Sequence, residues 1–213
     1  MAYGPSTRTV ADIRRTVQRA YGDESGVSLE DADIFMWIND AQDEIVNRNK
    51  ILKGTTSTVS VIGQADYVIS SAVRIHQIEA IHYNGLFLKN IPFVEAEQTI
   101  ISSSTLTDSG TPELWYEWAG TFTFWPTPAA VVPIVFYLTL RPARVTAVTD
   151  LLSVPDKYYR NVANYVLQQA YEMSEDWQAS QLKGKQFDAS LADMGEEERI
   201  AQNMTNSRVQ VID

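Results

Sequence analysis

The hydrophobic positions of this chain change period twice, from helical spacing to alternation and back. Val10, Ile13, Val17, Ala20 and Tyr21 recur at three- and four-residue steps behind Thr9, which predicts a capped amphipathic helix broken at 22–26 (GDESG). Ser28, answered by Asp31, predicts the start of a second helix with the stripe Ile34, Trp37, Ile38, Ala41 and Ile45. That helix is expected to run to about Leu52 and to stop at Gly54. Segments 56–61 and 66–69 then read as two strands joined over Gly63-Gln64-Ala65. Segments 75–83 and 86–89 read as a hairpin, because Asn84-Gly85 tolerates the positive φ angles of a type I′ turn. A short helix over 92–101 follows, then a Ser/Thr-rich loop to Ser109.

The stretch 110–142 is the densest part of the pattern. Trp115, Tyr116, Trp118, Phe122, Phe124, Trp125, Phe136 and Tyr137 crowd it, a composition suited to strands. Ile134, Phe136, Leu138 and Leu140 alternate with Val135, Tyr137, Thr139 and Arg141, as in a strand with one face on a core. Pro112, Pro126, Pro128 and Pro142 mark strand ends and turns. Beyond a Thr-rich connection over 143–153, Pro155 suits the first turn of a helix with the stripe Tyr158, Val162, Tyr165, Val166, Gln169, Ala170 and Met173. A last helix is expected over about 175–198, anchored by Leu182, Phe187 and Leu191 and weakened at Gly184.

Neither pair of helices can bury its stripe alone. The expected fold is therefore α+β: a helical bundle formed by the N- and C-terminal helices, with a central inserted antiparallel β-module. The boundaries are 1–54 and 143–200 for the bundle, 55–142 for the module, and 201–213 for a flexible C-terminal tail too poor in apolar surface to fold alone.

Composition adds exclusions. A chain of 213 residues with 45% hydrophobic residues buries a core without staples, and the lack of cysteine removes disulfides, thiolate metal sites and thiol catalysis. No segment reaches the roughly 18 apolar residues of a membrane span. The net charge of −10 argues against coating nucleic acid, whose binding rests on neutralised phosphates. Charge is uneven, with Arg8, Arg14, Arg15 and Arg19 near the N-terminus and an acidic excess over 172–198. These ends could pair within a subunit or between copies, or be two solvated helix faces.

Candidate chemistry is sparse. His76 and His82 lie six residues apart on a predicted strand, roughly 20 Å, too far to share a metal. Asp108-Ser109-Gly110 matches the tripeptide of aspartic proteases, but its flanks are polar, and a chance loop explains it better. Asp40, Asp43 and Glu44 read as a solvated helix face. The aromatics lack the basic groove of a base-stacking platform, so core and subunit interface are the expected uses. No cofactor or metal site is expected.

Gly110-Thr111-Pro112, Trp115-Tyr116, Gly120, Phe124-Trp125-Pro126-Thr127-Pro128, Tyr137, Arg141-Pro142, Val154-Pro155 and the tyrosine-bearing helix that follows form one spaced series. With the order of helices and strands, it resembles the head-to-tail adaptor proteins of tailed bacteriophages over about residues 10–191. One departure is Val68, where the family would lead us to expect a proline after the tyrosine. The resemblance implies a non-enzymatic virion protein at the head-tail interface, assembled in the host cytoplasm. It implies a twelve-fold homo-oligomeric ring beneath the portal protein, extending a channel through which DNA slides and receiving a tail or nozzle protein. A C-terminal segment reaching the portal is also implied, and Arg208, Val209, Val211 and Ile212 are its candidate contacts, by strand addition or apolar anchoring. Arg14, Arg15 and Arg19 are candidates for facing an acidic neighbour. Two alternatives are a host- or carbohydrate-binding module using exposed Trp115, Trp118 or Trp125, and a hydrolase using Asp108.

Overall fold

A computed structural model describes residues 6–23, 25–70, 73–102 and 109–209, the last four of 73–102 and residues 201–209 by backbone alone. Among the described residues the chain is mixed α+β, with five α-helices and a large curled sheet. It divides into two units, one of residues 1–52 and 141–213 and the other of 53–140.

In the first unit, α1 (Val10–Tyr21) starts at a capping box: Asp12 N–H donates to the Thr9 hydroxyl and Thr9 N–H donates to the Asp12 carboxylate. It ends at Gly22, whose φ of 85° is left-handed. α2 (Asp31–Asn49) departs from the sequence reading at both ends. Ser28 does not cap it; Asp23 instead accepts the N–H groups of Val27, Ser28 and Leu29, which holds that segment as a loop until Glu30. At the far end the helix stops at Asn49, where Lys50 takes φ 50°, and not near Leu52.

Pro155 precedes a 3₁₀ turn, Asp156–Tyr158, that feeds α4 (Tyr159–Met173), and α5 (Trp177–Val209) follows. α5 runs eleven residues past the expected end at Glu198, since 199–209 holds neither Gly nor Pro. One core joins both termini of the chain: Val10, Ile13 and Val17 of α1, Ile34, Ile38 and Ile45 of α2, Val162 and Val166 of α4, and Phe187 and Leu191 of α5. Each such fully buried aliphatic side chain stabilises the fold by roughly 1.5–3 kcal/mol. Tyrosines set the pairing of α1 with α4. Tyr159 Oη donates to the Asp12 carbonyl (2.9 Å) and Tyr171 Oη to the Ala20 carbonyl (3.2 Å), so the two helices run in the same direction.

The second unit holds β1 (Lys53–Val59), β2 (Asp66–Val68), β3 (Ile75–Tyr83), β4 (Leu86–Asn90), α3 (Phe93–Ser102), β5 (Ser109–Gly110), β6 (Leu114–Trp118), β7 (Thr121–Trp125), β8 (Thr127–Pro128) and β9 (Pro133–Leu140). The seven-stranded sheet has the order β1-β9-β3-β4-β6-β7-β2, and β5 pairs with β8 in a small second sheet. The β3–β4 hairpin turns on Asn84 (φ 49°) and Gly85 (φ 81°), as the dipeptide predicts.

Two expectations are corrected. β1 and β2 do not pair with each other: they are opposite edges of the sheet, β1 on β9 and β2 on β7. The alternating apolar face of β9 supplies β1 with seven consecutive partners, whereas β2 is three residues long and inserts Tyr67 into the core. The module is also not wholly antiparallel. β4 and β6 pair in parallel, because the α3 crossover returns the chain in the same direction, and β5 and β8 are parallel as well. Since the two edge strands are joined by segment 60–65, the sheet curls around one core, in which Tyr67, Ile81, Leu88, Trp115, Phe124 and Phe136 are buried.

Candidate assembly surfaces

The carboxylates of α2 lie on an outer helix face, but they are not merely solvated. Arg48 of α2 bonds Glu44 (2.5 Å) one turn back and Asp188 of α5 (2.7 Å), with its guanidinium over the Phe187 ring. Arg144 reaches Asp43 at 3.0 Å and Asp40 at 3.9 Å. Further along α5, Glu198 pairs with Lys157. From outside the helix, α5 therefore pairs with Arg48 and Lys157, two cations the charge pattern did not single out, while Glu196 pairs with Arg199 of α5 itself (2.6 Å). Asp188 and Glu44 together hold Arg48 protonated more firmly than an ordinary arginine.

The α1 arginines pair closer to home. Arg14 meets Asp31 at the start of α2 (2.9 Å), Arg15 lies 3.7 Å from Asp12, and Arg19 is exposed. Arg208 and Val209 fall at the C-terminal end of the α5 backbone, and Val211 and Ile212 lie outside the described residues. Asp108 also lies outside them, and among the described residues no group of acidic and histidine side chains could hold a metal ion.

The three tryptophans of the β-module separate sharply. Trp115 is 4% exposed, facing Phe122 in the core. Trp125 is half-buried, and Trp118 at the β6–β7 turn is 61% exposed. Trp118 stacks on Phe93 of α3, ring centroids 4.4 Å apart, and Tyr116 also contacts the Phe93 ring, tilted at 5.9 Å. His82 lies on the sheet surface as the strand pattern implied, its ring against Tyr137 (4.8 Å) and edge-on to Phe87 (6.1 Å). Sequence reasoning missed Phe93 as the partner of Trp118; its place just after Pro92, at the start of a helix, was the available signal.

These surfaces carry aromatic stacks, ion pairs and open strand edges, the means by which a protein works through contact with other proteins. They belong to a structural adaptor of a bacteriophage. The chain is a member of the SU10 adaptor protein family, whose model matches residues 8–211. Family membership makes it a virion component that interacts with other head or tail proteins. Among curated proteins no sequence matches it.

Proposed function

We propose that this chain forms the head-to-tail adaptor ring, a twelve-fold homo-oligomer that joins the portal protein to a tail or nozzle protein and extends the DNA channel. It acts without catalysis. The match to the adaptor family over residues 8–211 is the observation that carries this reading. Three features of the chain support it. The helices of the first unit share one core drawn from both ends of the chain, so we propose that they serve as a single bundle, within which the second unit, 53–140, is a separately folded insertion. The net charge of −10 suits a channel past which DNA must slide without sticking.

The third feature is α5. Among the residues whose side chains are described, its last buried apolar one is Leu191, and its backbone stays helical to Val209, roughly 27 Å further at 1.5 Å per residue. We propose that this extension carries Arg208, Val209, Val211 and Ile212 to the portal. Arg14, Arg15 and Arg19 are proposed to lie at a subunit boundary, facing an acidic neighbour. The test is the mass of the purified protein alone and mixed with purified portal protein, by native mass spectrometry. A portal-bound ring is expected for the full chain and loss of portal binding for a chain lacking 201–213. Equal portal binding by the two chains would remove the role given to the C-terminal segment, and no association of the full chain would remove the ring.

A further inference from the structure

The two edges of the curled sheet are guarded very differently. β2 is short and opens on a charged residue, Asp66. β1 has seven residues in unbroken register with β9 and no proline, and after Lys53 it carries no charge (GTTSTV). Charges, prolines, bulges and shortness are the devices by which monomeric proteins keep sheet edges from pairing with other chains. β1 has none of them beyond its first residue.

The absence of charge extends past the strand. Residues 54–65 and 118–140 are the two longest stretches of the chain without Asp, Glu, Lys or Arg. The fold lays them side by side: β1 pairs with β9, and beyond the strand Ser60 N–H donates to the Val132 carbonyl (2.8 Å) and Gly63 N–H to the Pro128 carbonyl (2.9 Å). At this end of the sheet Val59, Val61, Ile62 and Val131 are all exposed, and no charged side chain interrupts the sequence that carries them.

We infer that the β1 edge and the adjoining apolar loops 60–63 and 128–132 are where a second copy of this chain docks. Charge selects the occupant. Two copies that each carry −10 repel wherever their acidic faces approach, and their contact is cheapest where neither contributes a charge. An open strand edge then supplies directional main-chain hydrogen bonds, and the four aliphatic side chains supply area to bury. DNA would require cations here, and between Lys53 and Arg74 the chain has none. This inference rests on the ring reading, and names the surface through which the ring closes.

The test is the double variant Val61→Glu/Ile62→Glu, at positions 49% and 62% exposed, beside Val27→Glu, at a position 81% exposed in the helical unit. Association of each variant and of wild type is followed by sedimentation velocity, with and without purified portal protein. The double variant is expected to associate at least ten-fold more weakly than wild type, and Val27→Glu to associate as wild type does. In wild type, amide exchange across residues 53–59 is expected to slow at least ten-fold on assembly, a readout independent of whether the variant folds. Undiminished association of the double variant, or unchanged exchange over 53–59, would overturn the inference and leave the ring intact. A double variant that self-associates normally but no longer binds portal would assign the surface to a different partner, which also overturns it. If wild type associates neither alone nor with portal, the ring reading falls and this inference with it.

Discussion

Asn39 holds Val145 by both of that residue's main-chain groups: its Nδ2 donates to the Val145 carbonyl at 3.1 Å, and its Oδ1 accepts the Val145 N–H at 2.8 Å. Both residues are buried, so one side chain of α2 satisfies a stretch of irregular backbone over a hundred residues away in sequence. Replacing Asn39 by Ala strands both main-chain groups without water, at about 1–3 kcal/mol each. We expect Asn39→Ala to lower the stability of the helical unit by about 2–4 kcal/mol in urea unfolding followed by helical circular dichroism. A loss under about 0.5 kcal/mol would show that water or a backbone shift replaces the amide.

Two glycines of α5 should respond in opposite ways to alanine. Glycine inside a helix costs about 0.8–1 kcal/mol relative to alanine. A Cβ on Gly184 would sit 3.1 Å from Oε1 of Gln168, a long side chain that can swing aside. One on Gly195 would sit 2.9 Å from Oδ1 of Asn49, whose Nδ2 is already committed to the Leu191 carbonyl (3.1 Å) and the Tyr158 hydroxyl (3.3 Å). Thermal unfolding should therefore show Gly184→Ala stabilised by about 0.5–1 kcal/mol. Gly195→Ala should show no gain or a loss, and an equal gain at both sites would contradict this account of Asn49.

Trp115 and Trp118 should separate stability from surface. Trp115→Ala empties a core site and is expected to cost about 3–5 kcal/mol. Trp118→Ala removes a ring that only stacks on Phe93 at the surface, worth about 0.5–1.5 kcal/mol. Iodide should quench Trp118 and the equally exposed Trp177 in the free protein, and Trp118→Phe should remove the Trp118 share of the quenchable fluorescence and leave that of Trp177. Equal stability losses in the two alanine variants would refute the division.

Acid should loosen the N-terminal segment. Asp156 accepts the Thr7 hydroxyl (2.5 Å), the Ser6 hydroxyl (2.7 Å) and the Thr7 N–H (3.0 Å), and these bonds lower its pKa from 3.8 to about 2. A carboxylate depressed in the folded state stabilises it fully above the ordinary value and loses that contribution as pH falls through the folded one. The bonds to residues 6 and 7 should thus hold above pH 4 and fail between about 4 and 2. Amide exchange of Arg8 and Val10, whose segment bridges Thr9 to Leu151, should rise in that window. In Asp156→Asn the rise with acid should be absent, because no proton is taken up there; a persisting rise would assign the transition to Asp12 or Asp150, whose pKa values are also lowered.

How much was legible in the sequence follows from the kind of interaction involved. The Thr9 cap of α1, the Asn84-Gly85 hairpin and the alternating face of β9 depend on residues close in the chain, and each formed as its local pattern implied, with Asp12 completing the cap as a box. Ser28 carried an equally good local signal and failed, because the Asp23 carboxylate takes its N–H together with those of two neighbours. Of the proposed docking surface, the uncharged runs 54–65 and 118–140 were readable as letters, yet nothing local said that they lie side by side.

The sequence by itself determined which residues face a core and where the chain changes from helix to strand and back, since side-chain periodicity encodes burial one element at a time. The tertiary structure alone decided that β1 and β2 part to opposite edges and that β4 and β6 run in parallel. It also decided that Arg48 and Lys157 pair with Asp188 and Glu198 of α5, and that Trp118 faces solvent while Trp115 does not. Strand pairing and ion pairing join groups far apart in the chain, and their partners are chosen by how whole elements close around a shared core.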